Sequence, residues 1–153
     1  MILGLDISLN SSGIAILDNN KQLIFYDTIQ PPKNMSEEEK LIYIQNYIHK
    51  LLKIYQVTHA VIEDTFFGSN IKTLKTLMKV HGIVISKLND HLILYTYATP
   101  TSIKKNILGN VPKNNSKLAV QQEMCKLYPT LKTNLKNDIY DAISIALFFL
   151  SQR

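Results

Sequence analysis

The chain opens on an alternation. In Ile2-Leu3-Gly4-Leu5-Asp6-Ile7-Ser8, an extended backbone sends Leu3, Leu5 and Ile7 to one face and Gly4, Asp6 and Ser8 to the other. A period of two predicts a strand, here with one carboxylate on a face of small residues. Ser12-Gly13-Ile14-Ala15-Ile16-Leu17 predicts a second strand, Asp18-Asn19-Asn20 a tight turn, and Gln22 to Ile29 a third strand. The three form an expected antiparallel meander, which Pro31-Pro32 ends. Ser36 followed by Glu37, Glu38 and Glu39 has the form of a capping box. Leu41, Ile44, Ile48, Leu51 and Leu52 then recur at helical spacing, predicting a helix from Ser36 to Tyr55. His59-Ala60-Val61-Ile62 is a short strand with Glu63 at its carboxyl end, and a helix between strands implies a right-handed crossover to a parallel neighbour.

A second helix is expected from Ser69 to Leu88, with Ile71, Leu74, Leu77, Met78, Ile85 and Leu88 as its apolar stripe and Lys72, Lys75 and Lys79 on another face. His91 to Tyr95 predicts a fifth strand. Thr99-Pro100 has the pattern of an N-cap with proline at the first helical position, opening a short helix through Ile107. A loop from Gly109 to Asn115 leads to a helix over Ser116 to Leu127, and a last helix is expected from Asn137 to Leu150. Three strands, helix, strand, helix, strand and then helices describe an α/β layer architecture with a mixed five-stranded sheet. A length of 153 residues fits one domain spanning the chain.

Charge changes the picture more through its distribution than through its net value of +5. Residues 1–64 hold five lysines against eight acids, whereas residues 65–136 hold eleven lysines against Asp90 and Glu123 alone. A basic block of that kind is the footprint of a protein that binds phosphate backbones, although lysines also serve simply to solvate helix faces. The single cysteine, Cys125, excludes a disulfide framework and a cysteine-based zinc site. No signal-peptide pattern and no apolar run of membrane-spanning length is present, so a cytoplasmic protein without membrane association is expected.

Asp138 and Asp141 are three residues apart and therefore project from one side of the last helix. From Ala142 to Leu150 that helix is almost wholly apolar, which predicts burial against the sheet. Each aspartate alone fits a cap or a partner of the helix dipole. Together with Asp6 and Glu63, at the ends of strands that can lie side by side and parallel, they make four carboxylates from three segments. Their mutual repulsion demands a cation. Hard oxygen donors without histidine or cysteine suit Mg²⁺ or Mn²⁺, and two such ions about 3.5–4 Å apart are the usual arrangement for attack of water on a phosphodiester.

These segments, in this order, resemble RuvC-type Holliday junction resolvases over nearly the whole chain. Gly4-Leu5-Asp6 resembles the family's first strand, and Ser12-Gly13 stands where a hydroxyl residue and glycine come next. Ile62-Glu63-Asp64-Thr65-Phe66 resembles its glutamate motif with a downstream aromatic, and the helix after it resembles the dimer-forming helix. Ile103 to Gly109, then Lys117-Leu118-Ala119-Val120, resembles the lysine-bearing stretch, and Asn137-Asp138-Ile139-Tyr140-Asp141-Ala142 the terminal aspartate segment. The resemblance implies a ribonuclease H-like fold, a homodimer and paired nicks in a four-way DNA junction. Three features depart from bacterial members: Ile7-Ser8 stands in place of Pro-Gly, the loop between Gly109 and Lys117 is longer, and a second aromatic, Phe67, comes after Phe66. The first of these points to a divergent, phage- or virus-like relative.

On this basis Asp6 is expected to bridge two ions, with Glu63 on one and Asp138 and Asp141 on the other. The catalytic lysine is Lys113 or Lys117, and the helix start favours Lys117, which would neutralise charge on the scissile phosphate. Lys72, Lys75, Lys79, Lys104, Lys105 and Lys113 are candidate phosphate contacts, Phe66 a candidate stacking residue at the junction and Phe67 a core residue. Asp64 is expected to be solvated and His49, His59, His81 and His91 structural. Competing functions are a flap or fork nuclease of the same fold, an actin-like nucleotide-binding domain reading Gly4-Leu5-Asp6 with Ser11-Ser12-Gly13 as a phosphate segment, and a metal-free DNA-binding module. The small size and five glycines weigh against the actin-like reading.

Overall fold

A computed structural model of the chain describes residues 1–64 and 70–153. The opening alternation folds as three strands, β1 (Ile2–Asp6), β2 (Ser12–Leu17) and β3 (Leu23–Ile29), followed by α1 (Glu37–Ile54) and β4 (His59–Glu63). Beyond them come α2 (Ile71–Asp90), β5 (Leu94–Ala98), α3 (Pro100–Leu108), α4 (Ser116–Leu127) and α5 (Asn137–Ser151). The strands form one sheet in the order β3-β2-β1-β4-β5. β1–β2 and β2–β3 are antiparallel, whereas β1–β4 and β4–β5 are parallel. Local chemistry sets the helix starts as expected. Ser36 and Glu39 exchange a reciprocal capping box, and the Thr99 hydroxyl accepts from the Ser102 amide at 3.3 Å with Pro100 at the first helical position.

The pleat sorts the core into two layers. Leu3, Leu5, Ile14, Ile16, Ala60 and Ile62 face α1 and α2, while Ile2, Ala15, Leu17 and Val61 face α5, with α3 and α4 packed outside it. α5 is buried along nearly its whole length. It lies unusually close to the sheet because glycines underlie it: a Cβ at Gly4 would stand 2.1 Å from the Ala142 carbonyl oxygen, and one at Gly13 1.8 Å from that of Asp138. Real Cβ atoms essentially never approach so near, so glycine is required at both positions for this seating. The segment before α5 is tied down by Tyr140, whose buried hydroxyl donates to the Lys132 carbonyl at 2.6 Å and accepts from the Leu135 amide at 3.3 Å.

Two expectations need correction. The apolar stripe predicted for α2 is only in part its core face: Leu88 is buried and Ile85 packs against the core, but Val80, His81 and Val84 are buried as well, while Ile71 and Met78 are 69% and 48% exposed. The helix is apolar on two sides, and periodicity alone cannot say which side meets the sheet. β5 begins at Leu94 rather than His91, because α2 runs on to Asp90 and a left-handed residue, Leu92, turns the chain so that the Ile93 amide returns to the Leu88 carbonyl at 2.9 Å.

Candidate active site

Asp6 ends β1 and Glu63 ends the adjacent parallel β4, whose register pairs Leu5 with Ile62. Both side chains lie on the sheet face that α5 covers, as do Gly4, Gly13 and Ala15. The first turn of α5, seated on Gly13, brings Asp138 and Asp141 to that same end of the sheet. Asp6 feels the charges of the other three. Asp6 is pushed up to about 8, first by burial and then by the charges of Glu63, Asp141 and Asp138. Burial and the Asp141 charge raise Glu63 as well, against the pull of a hydrogen bond with Asp6 and of Lys104 and Lys117. Asp141 is raised by burial, opposed by Lys117 and Lys104. Burial and the neighbouring carboxylates thus favour a protonated Asp6 carboxyl hydrogen-bonded to Glu63.

A proton shared between two half-buried carboxyl groups is the neutral substitute for a cation between them. Among the described residues no three carboxylate, histidine or cysteine side chains are gathered tightly enough to hold an ion as they stand. The donor chemistry nevertheless fits a hard divalent cation: oxygen ligands only, strong mutual repulsion, and two carboxyls raised by burial and by neighbouring charge. Histidine contributes nothing here. His49 and His91 contact each other at 3.0 Å, His59 stacks on Phe149, and His81 is buried beside Tyr97.

The lysines divide by position. Lys117, in the first turn of α4, and Lys104, half-buried on α3, both act on Glu63 and Asp141. The sequence assigned Lys117 to this place but put Lys104 only among the outer phosphate contacts. Lys113 is exposed in the loop before α4, and Lys105 turns to a separate groove with Asn106 and Gln152 near the end of α5. Lys72 and Lys75 are exposed on the first turns of α2, and Lys72 lines a groove with Ser8, Asn10 and Thr73 beside the β1–β2 turn. Lys79 instead pairs with Glu37 of α1 at 2.5 Å, so its charge is partly spent holding α1 to α2. Asp64 is exposed, as expected. Phe66 and Phe67 lie outside the described residues.

One feature of the site was missed from the sequence. The Ser11 hydroxyl donates to Oδ2 of Asp138 across 127 positions of chain. Ser8, Ser11 and Ser12 have the character of turn residues, and nothing in their spacing points to α5.

The family model for crossover junction endodeoxyribonuclease RuvC matches residues 2–149 of the chain. A crossover junction endodeoxyribonuclease RuvC of Finegoldia magna is 31% identical over 157 residues, covering 95% of this chain and 90% of that protein. That of Alkaliphilus oremlandii is 27% identical, covering 96% and 90%. Among solved structures, Thermus thermophilus RuvC in complex with a Holliday junction substrate superposes with a TM-score of 0.83 at 15% identity, over 96% of this chain and 90% of that one. The yeast mitochondrial Holliday junction resolvase Ydc2 gives 0.58 at 13% identity, over 97% of this chain and 78% of that one. These structures share the fold.

Proposed function

The chain belongs to the crossover junction endodeoxyribonuclease RuvC family, and from that premise we propose that it resolves four-way DNA junctions as a cytoplasmic homodimer, each protomer making one metal-dependent nick. The observation that carries the reading is the half-buried quartet of Asp6, Glu63, Asp138 and Asp141, gathered from two adjacent parallel strands and one helix at the same end of the sheet, where burial and the neighbouring carboxylates together favour a protonated Asp6. Asp6, Glu63, Asp138 and Asp141 would together hold two Mg²⁺ or Mn²⁺ ions. Ions bound there would supply an activated water and offset charge on the departing 3′ oxygen, leaving a 5′ phosphate.

The chain's own groups do the rest. Lys117 and Lys104 offset charge on the scissile phosphate, the role their pull on Glu63 and Asp141 supports. The α5–sheet contact fixes the distance between the two carboxylate pairs. Lys72, Lys75, Lys105 and Lys113 act as point charges on flanking phosphates, which position DNA without reading bases.

The outer face of α2 supports the homodimer. Ile71, Leu74 and Met78 recur at intervals of three and four, and Gly82 comes four residues after Met78 with open space where a Cβ would be. An exposed glycine inside a 20-residue helix costs about 1 kcal/mol against alanine, and a close helix–helix crossing is a use that offsets it.

The test is incubation of the purified chain and Asp6→Asn with an immobile four-way junction, a 3′ flap and a linear duplex, with and without Mg²⁺ or Mn²⁺. Symmetrical nicks in the junction, absent in the variant and without metal, are expected. Equal cutting of the flap would replace junction resolution with a general branched-DNA nuclease. No cutting of any substrate would overturn the carboxylate assignment.

A further inference from the structure

We propose that Ser11 is a positioning residue for Asp138: its hydroxyl occupies one carboxylate oxygen and thereby fixes the orientation in which Asp138 offers the other to a divalent cation. The inference rests on the metal-binding reading of the carboxylate quartet and assigns a role to a residue outside it.

Three observations lead there. First, Ser11 donates to Oδ2 of Asp138, and this is the hydrogen bond the structure gives that side chain. Second, the Ser11 backbone is itself held. Ser8 Oγ donates to the Ser11 carbonyl at 2.6 Å and accepts from the Ser11 amide at 3.1 Å. Ser12 Oγ donates to the Ser8 carbonyl at 2.7 Å and accepts from the Ser8 amide at 2.9 Å. A serine clasp of this kind removes the freedom a turn between two strands would otherwise have, so the Ser11 hydroxyl is aimed rather than adrift. Third, the Asp138 backbone is pinned by its contact with Gly13, and the residue before α5 supplies no side-chain cap. The main chain of Asp138 is thus fixed by one residue of β2, and its carboxylate by the residue just before β2 begins.

The chemistry of such a bond is defined. A carboxylate without a partner rotates about its last torsion and can present either oxygen, or both at once. A hydroxyl donor on Oδ2 leaves Oδ1 as the free ligand and draws charge off a site already burdened by Asp6, Glu63 and Asp141. Partners behind metal ligands act in this way, and their loss typically costs about 10–100-fold in metal affinity or activity.

The test compares the wild-type chain with Ser11→Ala, Ser11→Thr and Asp138→Asn, titrating each with Mn²⁺ and following free Mn²⁺ by electron paramagnetic resonance and unfolding by thermal shift. Junction nicking is then measured across a range of Mg²⁺ concentrations. Ser11→Ala is expected to weaken Mn²⁺ binding about tenfold and to move the Mg²⁺ midpoint for nicking upward by a similar factor. Nicking at saturating Mg²⁺ should recover most of the wild-type rate. Ser11→Thr, which keeps the donor, should bind as wild type does. A Ser11→Ala titration superimposable on wild type would overturn the inference alone. A wild-type chain that binds no Mn²⁺ would overturn the metal reading and this inference with it. Should Ser11→Ala fail to fold, wild-type-like binding by a folded Ser11→Val, which has a similar shape to threonine and no donor, would overturn the inference.

Discussion

Gly13 of β2 lies directly under Asp138 of α5, so near that a methyl group at position 13 would stand 1.8 Å from the aspartate's carbonyl oxygen. The contact couples the fold to the site, because whatever lifts the first turn of α5 also withdraws Asp138 and Asp141. Gly13→Ala should therefore lower stability by about 1–3 kcal/mol, the usual range for an overfilled core, and lower nicking much further at temperatures where the variant remains folded. Urea midpoints and junction cleavage measured on the same preparation check this. Proportionate losses in the two would mean that Gly13 serves packing alone.

The raised carboxyl of Asp6 makes a pH prediction with a definite sign. Its ordinary value is 3.8 and its value in the folded chain is about 8. Between those limits the folded protein binds more protons than the unfolded chain, so this stabilisation is complete below pH 4 and is lost as the pH rises through about 8. Glu63 and Asp141 shift in the same direction. In a chelator, Asp6→Asn should unfold at a higher temperature than wild type at pH 8, by at least the 2–4 °C that about 1 kcal/mol makes in a domain of this size. The gap should close at pH 4, and added Mn²⁺ should stabilise wild type more at pH 8 than at pH 5. Thermal shifts at the three pH values test it, and an Asp6→Asn chain no more stable than wild type at pH 8 would refute it.

Position separates the lysines. Lys117→Ala and Lys104→Ala should each reduce nicking by about a hundredfold, the scale for removing one electrostatic contact to the reacting group, while junction affinity changes little. Lys113→Ala and Lys72→Ala should instead weaken binding to any DNA and lower the salt slope of the affinity by about one. Single-turnover rates and salt-dependent binding curves distinguish the two classes.

Helix α2 gives an assembly prediction. Gly82→Leu, at a position where a Cβ meets nothing within 4 Å of the same chain, should leave the fold of a protomer intact. It should shift sedimentation from dimer to monomer and convert paired junction nicks to single, unlinked ones. A dimeric Gly82→Leu chain would move the interface elsewhere.

Much of the fold was legible in the sequence because the strongest signals were local. A capping box at Ser36, a strand ending in Asp6 and an apolar helix beginning at Asp138 each carry their physical cause within a few residues. The mixed sheet and the placing of both aspartates over β1 derive from those elements. What was not legible depended on choices between distant surfaces. Val80 and Val84, rather than Ile71 and Met78, turn the core face of α2 inward, and only the geometry of the α1–α2 layer decides between the two faces. The turn at Leu92 moved β5 by three residues. Lys104 and Lys105 are neighbours in sequence, yet one acts on the carboxylates and the other lines a separate groove, a divergence that comes from the helical rotation of α3. Ser11 was invisible as a site residue because its partner is 127 positions away.

α5 comes after every other element along the chain, and it supplies both the cover for one layer of the core and two of the four carboxylates. A polypeptide still emerging from the ribosome, or one broken off before residue 137, exposes Gly4, Gly13 and Ala15 as an uncovered floor and has only Asp6 and Glu63 upon it. Cover for that layer of the core and half of the carboxylate set therefore stand or fall together on one helix.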